Sequence, residues 1–309
     1  MRTGAGLEGP DLAGDGPSCS AWAREQGLDP IGTAGCYRGY LLFEWPLPWP
    51  RDLSEDALLA PIATAARSAG LRLQGLVPKA NGQRRVICYR WPGRTAARFE
   101  RAELVADPDE VQSAAVAVVG EPAAKDEIVD VLVCTHGRRD RCCGSFGTAL
   151  FQGLSTDQHL PAGVRLWRTS HTGGHRFAPT AVILPEGTSW AFCDAALLES
   201  VLRREGPLSG LLTRYRGCAG MGSAAIQTLE RAVLGEVGWP LFEMPRQGAD
   251  LEDGRTELVV ESPTGTREVW EATVRVGAAI PVPPCGQPIG LDTKSEPQLV
   301  VEGLRRRQL

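Results

Sequence analysis

Two short stretches, Cys134-Thr-His-Gly-Arg-Arg-Asp-Arg-Cys-Cys143 and His171-Thr-Gly-Gly-His175, decide how the rest of the chain is read. All four histidines and three of the nine cysteines lie between positions 134 and 175. The thiols follow a C-x8-C spacing and the imidazoles an H-x3-H spacing. A mixed thiolate and imidazole donor set suits zinc or iron–sulfur chemistry, not calcium or magnesium. Structural zinc usually closes on C-x2-4-C pairs, and the wider loop suits a two-iron cluster better. A thioredoxin-type dithiol needs C-x-x-C, which the sequence lacks. A cysteine nucleophile with a histidine base is a further reading, but no orienting acid is evident.

Working outward, Ile128–Cys134 is a continuous apolar run that reads as a strand covered on both faces. It leads straight into the first loop, and Val164–Thr169 leads into the second. Loops leaving the C-terminal ends of strands are where open α/β sheets carry their sites. A helix over about 145–154 separates the two strands. Thr180–Leu184 and Ser189–Cys193 form a hairpin, and Asp194 caps a helix to about Arg204. This β-α-β-β-β-α order is thioredoxin-like. Glycines at 137, 144, 173 and 174 give the loops freedom to wrap a compact cofactor. Arg138, Arg139, Arg141, Arg165, Arg168 and Arg176 make this segment cationic, offset only by Asp140 and Asp157. That reads as a solvated loop, or as a surface for an acidic electron-transfer partner.

Residues 1–18 read as a disordered tail. An N-terminal α/β domain is expected over 19–122. It contains a strand at 38–45, stopped by Pro46, Pro48 and Pro50, a helix from Ser54 to Ala69 with Ser54 as its cap, and strands at Leu71–Val77 and Arg85–Trp91. Gly120–Asp126 reads as a linker. The thioredoxin-like domain spans 123–240 and ends with a helix over Ser223–Val237. A C-terminal extension over 241–309 contains a hairpin, Glu257–Glu261 with Glu268–Val276, and an irregular Pro- and Gly-rich stretch at 281–298. The expected fold class is therefore α/β, with a thioredoxin-like cluster-binding domain beside an N-terminal α/β domain and a C-terminal β-hairpin extension.

A net charge of −4 argues against a general nucleic-acid binder. No apolar run reaches the length of a membrane span, and the first twenty residues hold no apolar signal core, so a cytoplasmic protein is expected. Nine unevenly spaced cysteines argue against a disulfide framework. Cys19, Cys36, Cys88, Cys193, Cys218 and Cys285 read as reduced, incidental thiols, and His159 as a surface residue. No GxGxxG opens a helix after a strand, so no flavin or nicotinamide site is expected and electrons must come from a separate redox partner protein.

The two central stretches, together with Gly39-Tyr-Leu-Leu-Phe-Glu-Trp-Pro-Leu-Pro-Trp-Pro50, resemble the sucrase/ferredoxin-like family over about 19–239. That family comprises thioredoxin-like [2Fe–2S] proteins. The resemblance implies a [2Fe–2S] cluster on Cys134, Cys143, His171 and His175, with Cys142 the alternate second thiolate. His136, Arg168 and Arg176 are candidates to support the ligands from outside. The implied function is one-electron transfer or redox sensing, with coupled proton uptake, rather than stand-alone enzyme activity. No carboxylate pair resembles a glycosidase site. A Cys2His2 zinc protein, or a thiol-dependent oxidoreductase using Cys134 or Cys142, are the alternatives.

Overall fold

The computed structural model describes residues 18–79, 82–93, 95–124, 127–156, 160–284 and 293–308. Residues 1–17 of the tail expected over 1–18, part of the expected linker, His159 and Cys285 lie outside the described residues.

A short helix α1 (Cys19–Glu25) opens the chain, capped by the Ser18 hydroxyl. Strand β1 (Gly39–Glu44) is buried at all six positions, as its unbroken apolar run requires. The next helix differs from the expectation of one helix capped by Ser54. Two 3-10 turns come first, capped by the Asp52 and Asp56 carboxylates, and only then α2 (Ala60–Ser68). Pro61 explains the break. It lacks an N–H to donate and is tolerated only in the first turn of a helix, so the α-helix must start beside it. Strands β2 (Leu71–Leu76), β3 (Arg84–Arg90) and β4 (Glu100–Ala106) follow, and then helix α3 (Val111–Ala117).

Strand β5 (Val129–Cys134) begins the second unit. A π-turn over Cys143–Gly147 runs into α4 (Thr148–Thr156). Strand β6 (Val164–Thr169), hairpin β7 (Ala181–Leu184) and β8 (Thr188–Trp190), and helix α5 (Ala195–Arg203) complete the thioredoxin-like order. Asp194 accepts from the Leu197 N–H and so caps α5, as its position implies. Strand β9 (Tyr215–Cys218) and helix α6 (Ala224–Val237), capped by Ser223, end this part.

The nine strands form one sheet in the order β4-β3-β1-β2-β6-β5-β7-β8-β9. Its two halves share a topology. In each, the first strand is central, a parallel partner lies on one side, and two antiparallel strands follow on the other. The halves join edge to edge. Strands β2 and β6 meet antiparallel at their C-terminal ends, where Leu76 faces Thr169. Val77 N–H donates to the Arg168 carbonyl and Ser170 N–H to the Gly75 carbonyl. Hydrogen bonding therefore crosses the sequence boundary expected at 122/123.

Alternation along the central strands sorts the core. Leu41 and Phe43 of β1 pack with Ile62 and Ala66 of α2. Val131 and Val133 of β5 pack with residues of α4, α5 and α6. On the opposite face, Tyr40 and Leu42 share one cluster with Leu132, Trp167 and Val182 of the second half. A buried polar group ties that shared face together. Asp130 accepts two bonds from Arg165, one from Tyr89 Oη at 2.6 Å and one from Trp167 Nε1 at 2.6 Å.

The C-terminal hairpin sits inside a separate four-stranded antiparallel sheet. Its strands are β10 (Arg246–Asp250), β11 (Arg255–Glu261), β12 (Arg267–Val282) and β13 (Lys294–Gln308). Strand structure thus extends into both ends of the stretch expected to be irregular. Pro281, Pro297 and Gly303 disguise it, because such residues normally mark turns. Arg306 and Arg307 of β13 pair with Glu268, Glu257 and Glu271 across the sheet. Arg246 and Glu230, both fully buried, pin this sheet to α6. No described helix is long and apolar enough to cross a membrane.

Candidate metal centre

The edge-to-edge junction sets the location of the site. Strands β1, β2, β5 and β6 all direct their C-terminal ends toward it, and four loops converge there. The proline-rich loop after β1 lies against the loop after β5. Trp49 meets His136 edge-to-face, with ring centroids 5.5 Å apart. Arg138 and Arg139 donate to the Trp49 and Arg51 carbonyls.

Three ligand atoms come together. Those of Cys134, Cys143 and His171 all lie within 4.8 Å of one another, and both thiols are fully buried. Cys134 is the last residue of β5, so the sheet fixes its place. Cys143 returns to it because the loop folds tightly on itself: a Cβ on Gly144 would come within 2.5 Å of the Gly137 Cα. That pairing of glycines is a packing contact of the loop with itself. Hydrogen bonding from Cys143, aided by His171 and opposed by burial, holds the Cys134 thiol well below its ordinary range. The same Cys143–Cys134 bond, with burial, pushes Cys143 well above it. The His171 imidazole stands beside both thiols, and its Nδ1 is buried with no hydrogen-bond partner among the described residues.

His175 stands apart from this trio. Its Nδ1 lies 3.0 Å from Asp140 Oδ1 and 3.3 Å from Cys19 Sγ. A carboxylate on Nδ1 is the usual outer partner of a metal-binding histidine, and it leaves Nε2 as the nitrogen that faces a metal. Cys142 also points elsewhere. It is buried with its Sγ 3.5 Å from Cys19 Sγ. Cys36, Cys88, Cys134, Cys143, Cys193 and Cys218 are free thiols.

The outer residues divide. His136 is buried, and its Nδ1 accepts from the His171 backbone N–H at 3.3 Å, so it positions the second loop. Burial lowers its basicity below the ordinary imidazole range. Arg176 pairs with Glu296 of β13, and Arg168 serves through its backbone carbonyl at the β2–β6 junction. Arg165 pairs with Asp130 and Glu103, and Arg139 with Asp52. Much of the cationic segment is therefore neutralised inside the fold rather than presented to a partner.

Several supporting residues are invisible at the level of motif. Gln74 Nε2 and Arg72 Nη2 of β2 both donate to the His171 carbonyl, at 3.0 and 2.9 Å. Arg216, in the buried strand β9, donates from Nη1 to the Gly173 carbonyl and from Nε and Nη2 to Thr33. Gly174 has φ +71°, and a Cβ there would come within 2.4 Å of the Arg216 guanidinium. Arg216 is 2% exposed and has no carboxylate partner among the described residues; burial pushes its pKa down. A lone arginine inside the short apolar strand was the one available signal. Cys19 and Asp140 gave none, because their contact with His175 depends on the fold.

A family model described as sucrase/ferredoxin-like matches residues 30–217. Among curated proteins, "Altered inheritance of mitochondria protein 32" of Meyerozyma guilliermondii is 36% identical over 63 residues. That match covers 19% of this chain and 22% of the yeast protein, so the chain spans about a fifth of that relative's length. No solved structure matches the chain significantly. The matched region runs from the segment before β1 through β9 and takes in both ligand loops, and on that basis the chain belongs to the sucrase/ferredoxin-like family.

Proposed function

We propose that the chain is a [2Fe–2S] protein that transfers single electrons, or senses redox state, with the cluster held by Cys134, Cys143, His171 and His175. The observation that carries this reading is the buried Cys134–Cys143–His171 group at the convergence of four strand ends. Such a cluster supplies one-electron transfer, and two-histidine ligation raises its potential: about −150 to +300 mV in Rieske centres against about −400 mV for all-cysteine plant ferredoxins.

The chain's own residues have definite tasks. Cys134 and Cys143 exclude water from the thiolate side, since neither is exposed. Asp140 orients the His175 ring through Nδ1. Gln74, Arg72 and His136 fix the backbone of His171. Arg216 places a buried positive charge behind the His171–His175 loop, which favours negative charge in the site. The His175 side chain is 30% exposed, so this edge of the site reaches solvent. Electrons come from, and go to, a separate redox partner protein in the cytoplasm.

One observation favours a second reading. Three ligands within 4.8 Å are compact enough for a single zinc ion, with His175 as the fourth. A thiol-dependent oxidoreductase has less support, because Cys134 and Cys142 are fully buried and a reactive thiolate needs access.

Absorption and EPR spectra of anaerobically purified protein, with iron, sulfide and zinc quantified, separate these. A red-brown protein with two irons and two sulfides, and a rhombic signal on reduction, is expected. A colourless protein with one zinc and no sulfide would overturn the electron-transfer reading in favour of the zinc one.

A further inference from the structure

One cavity adjoins the candidate metal centre and shares Arg72, His136 and His171 with it. It encloses about 370 Å³ between α2, the loop after β1 and the His171 loop. Its lining carries four arginines, Arg51, Arg67, Arg72 and Arg139, and a single acid, Asp52. Asp52 is already engaged by Arg139 at 3.5 Å. The side chains of Arg51 and Arg67 have no ion pair or hydrogen bond among the described residues. Arg72 uses Nη2 on the His171 carbonyl, while its Nε is buried without a partner. Like charges gathered around one concavity repel, and an anion relieves that cost. Guanidinium forks match planar carboxylates and phosphates in particular.

One part of the remaining wall is apolar, formed by Leu53, Ala63, Ala66, Leu71 and Leu73. A site for an inorganic ion alone has no use for such a wall. Its volume lies in the range of small-molecule sites, which combine apolar walls with a few fixed polar groups. We propose that this cavity binds a small organic anion, a carboxylate or phosphate group on an apolar body. Arg51, Arg67 and Arg72 grip the anionic group, and the body lies on the α2 wall. His171 lines the far side, so the ligand sits directly beside the candidate metal centre. The proposal holds whether that centre carries a cluster or zinc.

The test is calorimetric titration of the full-length protein as isolated, at low salt, with phenyl phosphate and with phthalate. Iron and zinc are quantified on the same sample, so a failed cluster reading stays distinct from a failed cavity. Saturable binding of one probe is expected, weakening as salt is raised; the tighter probe assigns phosphate or carboxylate as the recognised group. Arg51→Ala and Arg67→Ala should each weaken binding about tenfold or more, the loss of one hydrogen bond to a charged group. Asp52→Asn, which removes the only acid in the lining, should tighten it. Both arginines are exposed, and melting curves check that their variants fold; Arg67→Glu is the second variant if Arg67→Ala proves ambiguous. Failure of both probes to bind, or binding indifferent to both arginines, overturns the proposal. Binding of a glutamate-rich peptide but of neither probe also overturns it, and assigns the arginines to a protein partner.

Discussion

Gln74 of β2 donates its side-chain amide to the carbonyl of His171, 97 residues away, at 3.0 Å. The N-terminal half of the sheet thus holds a ligand loop that belongs to the other half. Gln74 is 1% exposed, so no water replaces it readily. Removal of such outer support typically costs 10–100-fold in metal affinity, and Gln74→Leu should weaken metal retention by about tenfold or more. Chelator competition on wild type and variant measures this. Equal retention would show that Arg72 alone suffices.

Cys142 and Cys143 are adjacent, but only Cys143 joins Cys134 and His171. Cys143→Ser should therefore abolish metal binding, whereas Cys142→Ser should keep it. Metal-to-protein ratios of the two purified variants decide. The opposite pattern would exchange the roles of the two thiols.

Arg216 is a buried cation whose hydrogen-bond partners among the described residues are all neutral oxygens. Arg216→Met should lower the reduction potential of a bound cluster, since a less positive surrounding disfavours an added electron. Redox titration followed by EPR reads the shift. An unchanged potential would leave Arg216 only a packing role.

Asp130 is fully buried and takes four hydrogen bonds from Arg165, Tyr89 and Trp167. Removing one partner of a buried charge network usually costs about 3–5 kcal/mol, and Asp130→Ala should lose stability on that scale. Tyr89 lies in the first half and the others in the second, so urea unfolding should report the loss from both. A change below about 1 kcal/mol would mean that water takes over these bonds.

Asp52 caps the turn after β1, and the Ser54 backbone N–H, with its hydroxyl, holds the carboxyl below its ordinary 3.8. A depressed folded-state pKa contributes stability that is present above the unfolded value and lost as pH falls through the folded one. Asp52→Ala should cost about 0.5–1 kcal/mol near neutral pH, allowing for solvent exposure of the cap. The gap between variant and wild type should shrink below pH 3.8. Melting curves between pH 3 and 7 test this; a constant gap would point to packing rather than charge.

The sequence by itself determined what depends on near neighbours. Ser223 and Asp194 cap their helices through bonds to residues three positions on, and β1 and β5 are legible as continuous apolar runs. The two ligand loops are legible for the same reason, since their residues crowd into short spacings. Even there a local reading failed at Ser54, where Pro61 outweighed the helical periodicity. Tertiary structure alone decided the rest. It joined β2 to β6, set Arg216 behind Gly173, turned His175 toward Asp140 and Cys19, and gathered arginines from four elements around one cavity. Caps and periodicity act over a few bonds of one chain and so leave a pattern in it. Contacts across many residues are chosen by how whole strands and helices bury their faces, and no spacing in the sequence records that choice.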